Sequence, residues 1–218
     1  MPFPTGYEEA KVFEGYEKLT PGGHKCTIRS MSFKFSKAGN YMIEMELDTS
    51  KEDTQPTFFL NKYIADNQAG RDPVWRCVHR IIVDERVTNR DGQAYGISNL
   101  KQINTAVKDS NDGNEVNDKF YVIAADAEGK MQDPLVITNQ RRFCEQFANK
   151  KIGVVFREEE YGDPVTGELR VSVKPVRLCN YEKAFEQKVP DRKRQEPKAT
   201  GNEQWMQVDL SDEGLPFH

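Results

Sequence analysis

The stretch "HKCTIRSMSFKFSKAGNYMIEMELDTS", residues 24–50, decides how this chain is read. Its second half alternates without a break: Tyr41, Ile43, Met45 and Leu47 fall on one side, Glu44, Glu46 and Asp48 on the other. A period of two is that of a strand with one buried and one solvated face. The first half has the β-branched and aromatic content of a partner strand, and "KAGN" between them supplies a turn. The stretch therefore predicts a β-hairpin.

Working outward, "TFFLNKYIAD" (57–66) reads as a third strand. Residues 67–97 hold a short apolar run, Ile81–Val83, among turn signals, and read as an elaboration. "SNLKQINTAVKDSNDGN" predicts a helix, with Ser98 as N-cap, Leu100, Ile103 and Val107 on one face, and Asn-Asp-Gly as its stop. "KFYVIAAD" (119–126) reads as a further short strand. "ITNQRRFCEQFANK" (137–150) predicts a second helix, capped by Thr138 or Asn139, with Phe143 and Phe147 at i, i+4. It runs into "KIGVVFREEEY", the turn "YGDPVTGE" and "LRVSVKPVRLCNY", a second long hairpin. After Lys183 periodicity stops, and "EQKVPDRKRQEPKATGNEQ" reads as a disordered linker.

Five strands with a helix before the last hairpin predict a mainly β fold with short helices. The expected architecture is an OB-fold-type five-stranded Greek-key barrel with a helical insertion and a disordered C-terminal tail. An immunoglobulin-like sandwich would need about seven strands and no such helix. The expected organisation is an N-terminal extension (1–23), a barrel domain (24–182, with 67–118 as an insertion) and a linker with acidic tail (183–218).

No run of about 18 apolar residues exists, so no membrane partner is expected, and the start lacks the pattern of a signal peptide. The expected location is the cytoplasm. Cys26, Cys77, Cys144 and Cys179 are far apart, and the three histidines supply no close ligand pair. Free thiols, no metal and no cofactor are expected. Motifs for phosphate loops, nucleophile elbows and zinc proteases are absent, and Glu158, Glu159 and Glu160 in one strand point to opposite faces. A binding protein is expected rather than an enzyme.

The net charge of −4 is unevenly placed: residues 203–218 hold Glu203, Asp209, Asp212 and Glu213 and no Lys or Arg. The rest of the chain balances, with 31 basic against 31 acidic residues. Its basic residues interleave with aromatics, the pattern of a single-strand binder that holds phosphates and stacks bases. The first strand and its turn offer Lys25, Arg29, Phe33, Lys34, Phe35 and Lys37, and residues 57–66 offer Lys62 and Tyr63. The last hairpin offers Arg157, Tyr161, Arg170, Lys174 and Arg177. Some aromatics must be core, with Phe59, Phe156 and one of Phe33 and Phe35 the expected ones. Glu44, Glu46 and Asp48 oppose this reading, because any DNA path must avoid or neutralise them.

The chain closes on acids followed by Leu215, Pro216 and Phe217. Acids steer a peptide to a basic rim, and an apolar end fills a pocket. "DLSDEGLPF" resembles the C-terminal tip of bacterial single-stranded DNA-binding proteins, which recruits replication, repair and recombination enzymes. The resemblance implies partner contacts through Asp209, Asp212, Glu213, Leu215, Pro216 and Phe217. The chain departs from the pattern in that His218 follows the phenylalanine, moving the α-carboxylate one residue on.

"SFKFSKAGNYMIEMELD", with "FCEQFANKKIGVVFREEEY" and "RVSVKPVR", resembles phage-encoded proteins once catalogued as a domain of unknown function and now viewed as single-stranded DNA-binding proteins of OB-fold type. The resemblance covers residues 24–180 discontinuously, and 67–97 match poorly. It implies a protein that coats single-stranded DNA largely without sequence preference during phage replication or recombination. Single-stranded DNA and replication or recombination proteins are then the expected partners, and self-association is compatible with the sequence. The alternative is an OB-type protein-interaction module without DNA binding.

Overall fold

Strand alternation builds the sheet as the sequence suggests. In a computed structural model, residues 17–88, 91–114, 116, 134–163 and 166–194 are the ones described. β1 (Gly22–Phe35) and β2 (Tyr41–Thr49) form the first hairpin, and Tyr41, Ile43, Met45 and Leu47 all face the core. β3 (Val78–Ile82) lies on the far side of β2, and β4 (Lys151–Gly162) and β5 (Leu169–Cys179) form the last hairpin. The result is a mainly β structure: one five-stranded antiparallel open sheet, in the order β3-β2-β1-β4-β5.

β1 serves both halves of the sheet. Residues Gly22 to Thr27 pair with β4, and Cys26 to Phe35 pair with β2. Within the part paired to β2, just past the last β4 partner, the register slips: Ile28 faces Leu47 and Ser30 faces Glu46, so Arg29 is the extra residue of a bulge. A bulge bends its strand and re-aims the extra side chain. The bend brings the edge strands together, so that Cα atoms of β3 and β5 come within 8 Å.

Residues 57–66 are not a strand. They belong to α1 (Phe58–Gln68), and the reason is non-local. Asp48 Oδ1 accepts the N–H groups of Phe59 and Leu60 at 3.0 and 3.3 Å, and Thr49 Oγ1 accepts that of Phe58 at 2.8 Å. The end of β2 thus satisfies the unpaired donors of the helix's first turn, which aromatic, β-prone residues could not do locally. The third strand of the sheet is β3, inside the segment read as an elaboration. Met42, Glu44 and Glu46 of β2 face Ile82, Arg80 and Val78.

α2 (Tyr95–Ser110) begins three residues before the expected cap Ser98, while Ile103 and Val107 are fully buried as the spacing predicts. α3 (Pro134–Glu145) likewise starts before Thr138 and Asn139, which lie within the helix. Phe143 and Phe147 meet at 5.2 Å between ring centroids and sit in the core. The expected strand at 119–126 lies outside the described residues. Phe59 and Phe156 are core residues as expected, stacked at 6.2 Å.

Contacts with the body continue past Lys183. Tyr181 and Ala184 are buried, and a Cβ on Gly23 or Gly153 would collide with the Ala184 or Asn180 carbonyl. Further on, Lys193 pairs in parallel with Glu159, exchanging hydrogen bonds with Glu158 and Glu160 at 3.0 and 2.9 Å. The first residues of the expected linker therefore lie on β4. Residues 195–218, with the whole acidic tip, lie outside the described residues. Among the described residues no helix is long and apolar enough to cross a membrane.

Candidate nucleic-acid interface

Cross-strand register decides which predicted residues share a face, because directly paired residues of an antiparallel sheet point the same way. Phe33 pairs with Ile43 and Phe35 with Tyr41, both on the inner face. Phe33 packs on Phe143 at 6.0 Å and Phe35 on Tyr41 at 4.7 Å. Expecting one of the two outside broke the period of two, since residues two apart share a face. Both are core-facing, which removes them from the stacking surface. Lys34, between them, points outward and is exposed, as is Lys37 in the turn.

The β1 bulge presents Arg29 to a pair of aromatic rings. Its guanidinium carbon lies 4.2 Å from the centroid of Trp75 and 5.8 Å from that of Tyr63, and the rings stand 5.9 Å apart. Trp75 is held by its indole Nε1, which donates to the Leu47 carbonyl at 3.2 Å. The Trp75 ring is half-buried, leaving part of it to solvent. Sequence reasoning found Arg29 and Tyr63 and missed Trp75, because only the bulge and the turn of α1 bring the three together.

The acids of β2 do not stand bare beside this cluster. Glu44 accepts from Arg80 Nε at 2.8 Å, and Glu46 accepts from Ser30 Oγ at 2.9 Å and lies 3.8 Å from Arg29 Nε. Asp48 is occupied with the first turn of α1. Burial raises the Asp48 pKa, with those backbone N–H groups pulling it back. The row that opposed a DNA path is thus largely neutralised from within.

The last hairpin forms a second basic face. Arg157 pairs with Lys174 and Tyr161 with Arg170 across β4 and β5, all on one side. Arg157 is tied to Glu159 at 2.8 Å and Arg170 to Asp163 at 2.8 Å, and Arg177 donates to Gln187 Oε1 at 3.2 Å. Lys174 is exposed and has no carboxylate partner among the described residues. Burial, with Asp48 adding to it, pushes the Cys77 thiol up, and the Lys174 charge opposes that rise.

Lys25 stands apart. Its ammonium is 2.6 Å from Glu182 and lies over the Tyr181 ring at 4.8 Å, with Lys151 over the same ring at 4.9 Å. The hydrogen bond it donates to Glu182 raises its pKa. It fastens the segment after β5 to the sheet and is already compensated. Lys62 lies over the Phe58 ring at 4.7 Å, and burial together with the charge of Arg76 lowers its pKa.

The three consecutive glutamates are also spoken for: Arg192 Nε donates to Glu158 at 2.7 Å, Arg192 lies 3.8 Å from Glu160, and Glu159 holds Arg157. Among the described residues no group of three or more His, Cys, Asp or Glu is placed to hold a metal ion. The partner-binding residues proposed at the tip, Asp209, Asp212, Glu213, Leu215, Pro216 and Phe217, lie outside the described residues. No protein-family model matches the chain, and no curated protein is similar to it. The geometry of the site therefore carries the functional reading.

Proposed function

We propose that the chain is a single-stranded DNA-binding protein built on an OB-type barrel, which coats DNA without altering it. The observation that carries this is the half-exposed Arg29–Trp75–Tyr63 cluster, whose tryptophan also packs on the core, beside acids that other groups already satisfy. A half-exposed aromatic pair with a cation offers a base a π-face, whatever the base, and the surrounding lysines and arginines meet phosphates. The barrel reading is supported by a long bent first strand shared between β2 and β4, and by the approach of β3 to β5. In that fold the outer face of strands two and three and the two hairpin turns, expected at 36–40 and 160–168, flank the ligand.

The phage setting and the recruiting role of the tip rest on the resemblance of residues 24–180 and 209–217. A groove between β1 and α3 favours the second reading, a protein-interaction module. It is lined by Met31, Phe33, Ile137 and Ala148, with Ile137 exposed by 46%. Titration with an unlabelled dT oligonucleotide at two salt concentrations separates the readings. Saturable, salt-sensitive binding supports the first, and no binding at low salt supports the second. Cleavage or modification of the oligonucleotide with Mg²⁺ present would contradict both.

A further inference from the structure

We propose that the cleft between α1 and the segment leading into β3 is a phosphate-binding pocket. It has a volume of about 360 Å³ and is lined by Lys18, Lys62, Ala65, Asp66, Arg71 and Arg76. Four cations thus surround one carboxylate. Asp66 is buried, and its two oxygens are engaged by Arg76 at 2.5 Å and Arg71 at 3.2 Å. Lys18 and Lys62 have no carboxylate within salt-bridge distance among the described residues. Glu17 acts on Lys62 from a distance, but its Oε1 accepts from Gln55 Nε2 at 3.1 Å.

The cations are held in place by other groups and not by one another. Asp66 fixes Arg76, and the Phe58 ring supports Lys62 at 4.7 Å. Burial above all, then the Arg76 charge, pushes the Lys62 pKa down, while Glu17 and Asp66 pull it back. An anion with several acceptor oxygens takes donors from guanidinium and ammonium together. Asp66 acts on Lys62 through its charge, but its hydrogen bonds and ion pairs go to the two arginines.

The pocket adjoins the aromatic cluster through the chain itself. Lys62 precedes Tyr63 on α1, and Trp75 precedes Arg76 on the segment before β3. A base on Trp75 and a phosphate in the cleft would belong to one strand, and this source of the phosphate rests on the single-strand reading. A free phosphate monoester is the other source of the same chemistry.

The test uses the full chain and the variant Lys18→Gln with Lys62→Gln, two side chains that hold no carboxylate. Inorganic phosphate, exchanged for chloride at matched ionic strength, should broaden its ³¹P resonance with the parent protein and not with the double variant. The salt dependence of dT binding should fall by about 1 in slope for each lysine removed. Slope loss without ³¹P broadening assigns the pocket to the phosphodiester of a strand. Broadening without slope loss assigns it to a free monoester. Parent and variant alike in both measurements would overturn the pocket, and if the parent still binds dT the coating reading survives. A parent that binds no dT but broadens phosphate keeps the pocket and removes the coating reading.

Discussion

Arg29 lies over the face of Trp75, its guanidinium carbon 4.2 Å from the ring centroid, and it does so because it is the extra residue of the β1 bulge. A regular strand would have placed residue 29 opposite Glu46. The bulge moves Ser30 to that position and frees Arg29 for the ring. If Trp75 stacks on bases, replacing it with Ala should weaken dT binding by about 1–3 kcal/mol. Arg29→Ala should have a smaller effect of the same sign, with little change in melting temperature. Anisotropy with a labelled oligonucleotide, alongside thermal melts, checks both.

Lys174 and Lys25 make a matched pair of opposites. Lys174 is exposed without a carboxylate partner among the described residues, whereas Lys25 is held by Glu182 at 2.6 Å. Lys174→Gln should lower the slope of log affinity against log salt by about 1. Lys25→Gln should leave that slope unchanged and loosen the segment around Tyr181 instead. Equal slopes for the two variants would show that Lys174 meets no phosphate.

Phe33 and Phe35 should behave as core residues. Phe33→Leu and Phe35→Leu should each cost about 1–2 kcal/mol in urea unfolding. The folded variants should bind dT like the parent. A large affinity loss at unchanged stability would return these rings to the interface.

How much could be read in advance follows from how local each cause is. The β1–β2 and β4–β5 hairpins were legible because alternation and turn residues are local signals. α1 was not, since the groups that cap it, Asp48 and Thr49, sit at the end of another strand. β3 was obscured because Val78–Ile82 gives only five residues, flanked by turn signals, and its partner is set by β2. The basic and aromatic residue types were legible at the site, but the cluster needed the bulge, which no residue pattern announced. Trp75 and Arg76 carry no local signal, and only their neighbours Tyr63 and Lys62 give them meaning.

Asp84 predicts the acid limb of stability. Its carboxylate accepts Arg86 Nε at 2.9 Å and Nη2 at 2.6 Å, and the Tyr41 N–H at 3.0 Å. Bonding from Arg86 drives its pKa far below the usual carboxylate range, against the opposing effect of burial. A depressed folded-state pKa gives stability that is present above the unfolded value near about 4 and lost as pH falls through the folded one. Asp84→Asn should be less stable at neutral pH by about 1–3 kcal/mol. Its stability should fall less between pH 4 and pH 2, as judged by urea midpoints.

The central claim is that the surface around Arg29, Tyr63 and Trp75 holds single-stranded DNA. The most direct test compares dT binding by the parent with that of Arg29→Ala combined with Trp75→Ala, at low and moderate salt, both proteins verified as folded. The account predicts saturable, salt-weakened binding by the parent and a loss of at least about tenfold in the double variant. Equal binding by the two proteins, or none by the parent at low salt, would contradict it.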